Sequence, residues 1–389
     1  MASKASSSEY SPPIIIEPSS MMSCRADPIS MRGATIVWAP RTSRSARRTS
    51  GTPMDAFHLQ GHDLESLRRV ELPEPRPGPG EVRIRVAAAS VNYRDYALAT
   101  GRYQPELPRP FVPLSDGVGR IDALGEGVEG YALGERVIGH YTTKWIDGPF
   151  QSANHASKLG GPLDGWLARQ IVLPASAIAR APASLDDAAA STLPVSGLTA
   201  WAALQRMALP AGASVLVQGT GSVSLMALQL AVARGLDVIA TTGDAGKADW
   251  LRSMGARAVI DYKQRPDLSA AVRELTGGRG VDGIVDVVGG PQFLDLLGAA
   301  ADNAHIAVIG FLHSMQVDGN LIGPIMARQL NIHGVSVGSL RDLQAFLAEV
   351  DARRIVPIVG ARFSFEQGAR AIASIAQQRQ VGKPVVIFD

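Results

Sequence analysis

The chain has 389 residues, 46% hydrophobic and 19% charged, which suits two or three globular domains with sizeable cores rather than a disordered polymer. Its formal charge is +2, but residues 1–53 hold seven basic groups (Lys4, Arg25, Arg32, Arg41, Arg44, Arg47, Arg48) and three acidic ones (Glu9, Glu17, Asp27), so the remainder is slightly acidic and lacks the bulk positive charge that nucleic acid demands. The single cysteine, Cys24, excludes an intramolecular disulfide and leaves residues 54–389 without a thiol nucleophile or a thiolate zinc cage, and no run approaches the ~20 apolar residues that cross a bilayer.

These counts predict a soluble, cytoplasmic protein with neither nucleic-acid nor membrane partners. Residues 1–53 are rich in Ser and Pro, with Arg clustered at 41–48. Such a composition buries too little apolar surface to offset chain ordering, so a disordered extension is expected there. Glu9, Glu17 and the prolines spoil the pattern of a transit leader, and Ile14-Ile15-Ile16 is too short for a secretory core. Met54 is therefore expected to be the functional start.

From Met54 onward the pattern turns β-rich. Residues 81–86 alternate apolar and charged side chains, as a half-buried strand does, and the turn cluster Pro75-Arg76-Pro77-Gly78-Pro79-Gly80 precedes them. Further short runs at 119–123 and 136–138 predict a barrel-like all-β unit over about 54–177. Beyond 185 the rhythm changes. Strands are expected at 214–217, 238–241, 258–260, 283–288 and 305–309. Helices are expected at 225–234, 247–254, 267–275 and 292–300. This alternation predicts a parallel, doubly wound α/β sheet.

The first of these strands runs into Gln218-Gly219-Thr220-Gly221-Ser222-Val223-Ser224, where a helix begins. Gly219 and Gly221 permit a tight turn and a close backbone approach to pyrophosphate, and the helix start at Ser222 and Val223 offers free N–H groups. The second strand ends in Ala240-Thr241-Thr242-Gly243, with no carboxylate at its tip to repel a 2′-phosphate. Thr242, Lys247 and Tyr262 are candidate contacts, so NADP is expected over NAD. Asp244 is the alternative, either as a ribose ligand or, as favoured here, as a helix N-cap.

From Met54 to Asp389 the chain resembles the medium-chain dehydrogenase/reductases. The matching stretches are Val91-Asn92-Tyr93-Arg94-Asp95, Pro113-Leu114-Ser115-Asp116-Gly117-Val118-Gly119, Gly161-Pro162-Leu163-Asp164-Gly165, Leu198-Thr199-Ala200-Trp201, the glycine loop, Thr276-Gly277-Gly278-Arg279-Gly280-Val281-Asp282 and Gly382-Lys383. The resemblance implies a GroES-like catalytic domain (54–177), a Rossmann domain (178–340) and a return to the catalytic domain (341–389), in a homodimer or higher oligomer. The cysteine and histidine of the zinc branch are missing from the first two motifs. No metal site is therefore expected, with His140, His155, Asp116 and Asp164 the residual donors considered.

Without a Lewis acid, reduction of an electron-poor acceptor is easier than oxidation of an ordinary alcohol. The stretch from Asn92 to Tyr103 resembles the zinc-less pattern Asn-x-x-Asp followed by Gly-x-Tyr. The resemblance casts Tyr103 as hydrogen-bond or proton donor, with packing on the domain cleft as its alternative. Asn92 is a candidate for the acceptor carbonyl or nicotinamide ribose, or else caps a turn. Asp95 would orient its neighbours or form a surface pair with Arg94, and Tyr93 is a weaker acid candidate. For the cofactor, the resemblance adds Thr199, Val337 and Lys383, while Gly289, Gly310 and Phe311 follow strands whose carboxyl ends bind ligands in such sheets. The expected activity is NADPH-dependent reduction of a small-molecule quinone or activated C=C. An NAD(P)-dependent alcohol dehydrogenase and a nucleotide-binding protein without turnover are the competing readings.

Overall fold

In the computed structural model, which describes residues 53–377 and 381–389, the turn-rich first half builds short strands. They are β1 (Pro53–Leu59), β2 (Leu67–Pro73), β3 (Glu81–Ser90), β4 (Asp116–Leu124), β5 (Arg136–Gly139), β6 (Gln170–Pro174) and β7 (Ile178–Arg180). The second half contributes β8 (Ser214–Val217), β9 (Asp237–Thr242), β10 (Ala258–Asp261), β11 (Val281–Asp286), β12 (Ala300–Val308) and β13 (Asn331–Gly334), and the chain ends with β14 (Val359–Ser364) and β15 (Lys383–Ile387). The extension expected at 1–53 lies outside the described residues but for Pro53, which already pairs with Pro73.

β1 and β2 form a separate antiparallel pair, and the catalytic sheet runs in the order β14-β15-β3-β4-β5-β7, with β6 also on β3. Its centre is closed by Trp166, which is fully buried against Gly117 and Gly139. A Cβ at either glycine would lie 2.2 or 2.3 Å from the indole, so the glycine after Asp116 is a packing requirement. Because β7 pairs with β5, this sheet extends past the boundary expected at 177.

The parallel sheet has the order β10-β9-β8-β11-β12-β13, the doubly wound arrangement whose ligands lie at the carboxyl ends of the strands. Two predicted elements differ in extent. The strand expected at 305–309 starts at Ala300, which pairs with Val281. The next pair is His305 with Gly283, so residues 301–304 bulge, with Asn303 at φ 62°. The helix expected from 247 begins at Ala248, because the Asp244 carboxylate caps a tighter turn at Ala245–Lys247.

One apolar core ties the two sheets together. Helix Leu340–Arg353 inserts Phe346, fully buried, beneath Gly197 and beside Trp201 at 6.5 Å between ring centroids. A side chain buried so completely contributes roughly 1.5–3 kcal/mol. The N-terminus of that helix is held by the catalytic domain, since the carbonyls of Trp145 and Ile146 accept from the N–H groups of Leu340 and Arg341. No helix among the described residues is long and apolar enough to cross a membrane.

Candidate active site

The site begins at the short helix Tyr93–Ala99. Asn92 stands at its N-cap in extended conformation, and its backbone N–H donates to Asp95 Oδ2 at 2.7 Å. The Asn92 amide donates to Asp116 Oδ2 at 2.9 Å. Asp116 and Ser90 face each other across β3 and β4, and Ser90 Oγ lies 3.3 Å from the same carboxylate oxygen. Lys383 completes the cluster: it is two residues along β15 from Val385, the partner of Ser90, and alternation puts its side chain on that face. Its amine forms an ion pair with Asp116, and both residues are at most 1% exposed. Burial pushes the Asp116 carboxyl up, against the pull of Lys383.

The Lys383 amine is thus committed to Asp116. The same chain segment nevertheless touches the nucleotide loop, since Gly382 N–H donates to Thr220 O at 3.4 Å.

Asp95 is buried, and its second oxygen accepts from Ser115 Oγ at 3.3 Å. Burial pushes its carboxyl up to about 6, against the ordinary 3.8 and the opposing N–H of Asn92. A folded-state value above the unfolded one gives stability that is complete below 3.8 and is lost as pH rises through about 6. Asp95→Asn keeps an oxygen for the Asn92 N–H. It should therefore gain on the wild type by up to about 3 kcal/mol between pH 4 and pH 8. Urea unfolding at the two pH values measures this; an unchanged difference would assign the titration elsewhere.

Arg94 does not pair with Asp95 at the surface. Its guanidinium turns inward and donates to Ser115 Oγ at 3.2 Å, to Gly160 O at 3.0 Å and to Gly161 O. It lies 5.4 Å from the Tyr141 ring centroid and 6.0 Å from that of Tyr103. The turn after the helix carries Tyr103, whose ring stacks on Phe311 at 5.6 Å between centroids. Tyr93 meets Phe311 edge-on at 5.8 Å. Phe311 belongs to the loop after β12, so three rings join the catalytic sheet to the carboxyl end of the parallel one.

At the nucleotide loop, Gly219 has φ 76° and its N–H donates to Thr241 Oγ1 at 3.1 Å. Gly221 precedes helix Ser222–Ala233, to which it offers no side-chain cap. A Cβ on Gly219 or Gly221 would meet nothing within 4 Å, so this is an open cradle over uncapped N–H groups and fits a dinucleotide pyrophosphate. Ser222 and Val223 open the helix, and Ser224, at the position of a third glycine, turns its hydroxyl back to Gln218 O at 2.6 Å.

Farther along, Tyr262 packs over Gly243, where a Cβ would lie 2.3 Å from its hydroxyl. Thr242 Oγ1 accepts from Asp244 N–H at 3.1 Å, and Tyr262 N–H donates to Thr242 O at 3.0 Å. The Asp244 carboxylate accepts from Gly246 N–H at 3.0 Å and lies 3.8 Å from the Lys247 amine, as an N-cap does.

Gly289 and Gly310 let the loops after β11 and β12 press together, since a Cβ on Gly310 would lie 2.1 Å from Val287 O. Beneath them is Asp286, which the sequence reading missed. One oxygen accepts from the N–H groups of Val288 and Gly289 at 3.0 Å each; the other is buried without a partner. Thr199, 5% exposed, lies in the first turn of helix Leu198–Met207, directly after the π-turn Leu193–Gly197. Val337 has φ 51°, a conformation costing a β-branched residue roughly 1–3 kcal/mol, and leads to Ser339, the cap of helix Leu340–Arg353.

Among the described residues no three His, Cys, Asp or Glu side chains converge as metal ligands. His140 is buried, its imidazole pushed down to about 4 by that burial, and Asp116 is engaged by Lys383. This donor set does not fit a catalytic zinc.

Known proteins match the chain over most of its length. The profile of the alcohol dehydrogenase GroES-like domain matches residues 78–183, and that of the zinc-binding dehydrogenases matches residues 222–352. The chain is 37% identical over 309 residues to a zinc-type alcohol dehydrogenase-like protein of Schizosaccharomyces pombe, covering 78% of this chain and 89% of that one. It is 27% identical over 335 residues to an acryloyl-coenzyme A reductase of Sulfurisphaera tokodaii, covering 84% and 96%. A crystal structure assigned as an alcohol dehydrogenase of Sinorhizobium meliloti 1021 superposes with TM-score 0.80 at 36% identity, covering 87% of this chain and all of that one.

Proposed function

The chain belongs to the medium-chain dehydrogenase/reductase superfamily, and from that premise we propose that it is a zinc-independent, NADPH-preferring reductase of quinones or of enone and enal C=C bonds. The observation that carries this reading is the stack of Tyr103 on Phe311, which brings a phenol to the junction of the two sheets with no metal donor set beside it among the described residues. Bound NADPH supplies hydride. Tyr103 donates a hydrogen bond or proton to the acceptor oxygen as charge gathers there. Asn92 and Asp95 act by position: Asp95 fixes the start of the helix, and Asn92 links it to Asp116.

Gly219, Gly221, Ser222 and Val223 would hold the pyrophosphate, while Thr242, Lys247 and Tyr262 would hold the 2′-phosphate end. Thr199, Gly289, Gly310, Phe311 and Val337 would line the nicotinamide end, and Lys383 would support it through Asp116. A cytoplasmic location is part of the same proposal. So is pairing with a second copy along β13, the outermost strand of its sheet, beside which Ile322 and Met326 are 70% and 72% exposed.

The cradle has its own test. Gly221→Val should leave stability within about 0.5 kcal/mol of wild type, because its φ of −75° suits any residue and nothing lies within 4 Å of a Cβ. NADPH affinity should fall at least about tenfold, measured by nucleotide fluorescence titration. Retained affinity would move the pyrophosphate elsewhere.

The reaction is tested by an acceptor panel run with NADPH and NADH side by side, together with metal analysis. Quinone or enone turnover preferring NADPH is expected. Stoichiometric zinc with alcohol turnover would instead establish an alcohol dehydrogenase, and tight NADPH binding without hydride transfer a non-catalytic protein.

A further inference from the structure

Beside Tyr103 lies a cluster that the hydride chemistry leaves unused. Lys158 is 3% exposed, held by a bridge between its backbone and that of Thr142. Its amine lies 5.5 Å from the centroid of the Tyr141 ring, the same ring that Arg94 faces at 5.4 Å. His155 stands one turn before Lys158, its ring against Phe150 at 5.0 Å and its Nδ1 buried without a partner. Among the described residues no carboxylate forms a salt bridge with Arg94, His155 or Lys158. Arg94 has spent its terminal nitrogens on Ser115 and backbone carbonyls, but its Nε is buried without a partner.

A buried lysine flanked by a half-buried arginine and imidazole, with no carboxylate paired to any of the three among the described residues, is costly, and a ligand anion would relieve that cost. We propose that Arg94, His155 and Lys158 form a carboxylate site beside Tyr103, and that the acceptor carries a carboxylate separate from the carbonyl that activates it. The choice of acceptor rests on the reductase reading; the anion site does not. A two-oxygen monoanion suits the three groups still open, Arg94 Nε, His155 Nδ1 and the Lys158 amine.

Protonation adds a signature. Burial, reinforced by Arg94, pulls the Lys158 amine down to about 7, and burial with Lys158 and Arg94 pulls His155 down as well. The other titratable group against Lys158 is Tyr141, which burial pushes up and keeps neutral. A carboxylate beside Lys158 restores the ammonium form, so binding takes up a proton and weakens as pH rises past about 7.

The test is calorimetry on the full-length, NADPH-bound protein with trans-cinnamate and its neutral amide, in two buffers of different ionisation enthalpy. The same titrations include 3-phenylpropanoate, whose carboxylate activates no C=C and which should keep the preference over its own amide. Cinnamate should bind at least about tenfold more tightly than the amide, with proton uptake at pH 7.5. Lys158→Met should abolish the preference, and Lys158→Arg should keep it while losing the proton uptake. Thermal unfolding verifies that both variants are folded, and Lys158→Gln replaces Lys158→Met if that variant is not. Equal affinity, no binding of cinnamate at millimolar concentration, or an undiminished preference in the neutral variant overturns the site. Tighter binding of inorganic phosphate than of cinnamate overturns the carboxylate assignment. Because the readout is binding, failure of every acceptor in the panel would sink the reductase reading and leave this result standing.

Discussion

Lys383→Met should destabilise the protein by about 3–5 kcal/mol, the largest stability effect expected of any single change at this site. The lysine is 1% exposed and its partner Asp116 is fully buried, so removing the amine strands a carboxylate that water cannot reach. Asn92 Nδ2 and Ser90 Oγ remain against one oxygen, but the other has no partner among the described residues. Two hydrogen bonds do not replace a counter-charge at that depth. Asp116→Asn in the same background removes the stranded charge and should recover most of the loss, since well-matched neutral groups often equal a buried ion pair. Urea unfolding of the two single variants and the double variant closes the cycle. A loss below about 1 kcal/mol in Lys383→Met would mean that Asp116 is protonated in the folded protein and that the pair is not ionic.

Tyr103→Phe should lower turnover by roughly 10²–10⁴-fold, the usual worth of a positioned proton donor. The change deletes only the hydroxyl. The ring that stacks on Phe311 at 5.6 Å stays, so stability should shift by no more than about 0.5 kcal/mol and nucleotide affinity should hold. A fall in kcat together with kcat/KM would mark an interaction made in the transition state, whereas a rise in KM alone would mark acceptor binding. Unchanged turnover would remove Tyr103 from the mechanism and leave Tyr93, edge-on to Phe311 at 5.8 Å, as the next hydroxyl to test.

Much of the frame was legible because it is local. The strand at 214–217, the two glycines and the following helix are neighbours in the chain, and their periodicities of 2 and 3.6 are written in consecutive residues. Asp244 as an N-cap was legible for the same reason, as its carboxylate meets an N–H two residues away. The strand now starting at Ala300 was misjudged because its bulge has no periodicity to read. The role of Arg94 was not legible, for a different reason. Nothing local distinguishes a surface arginine from one whose acceptors are carbonyls 65 residues and more farther along.

The amino-acid sequence by itself determined the parallel sheet, the core of the β-rich unit and the glycine loop, since these follow from hydrophobic period and glycine conformation, while the aromatic candidates and the C-terminal return followed from the family resemblance. Only the tertiary structure decided what those residues touch. Lys383 meets Asp116 because β15 and β4 both flank β3, and Lys158 meets Tyr141 because a loop folds back on itself. Burial then set the charges. The same aspartate or lysine side chain titrates differently according to how much water and which counter-charge the fold leaves around it, and neither is a property of its place in the chain.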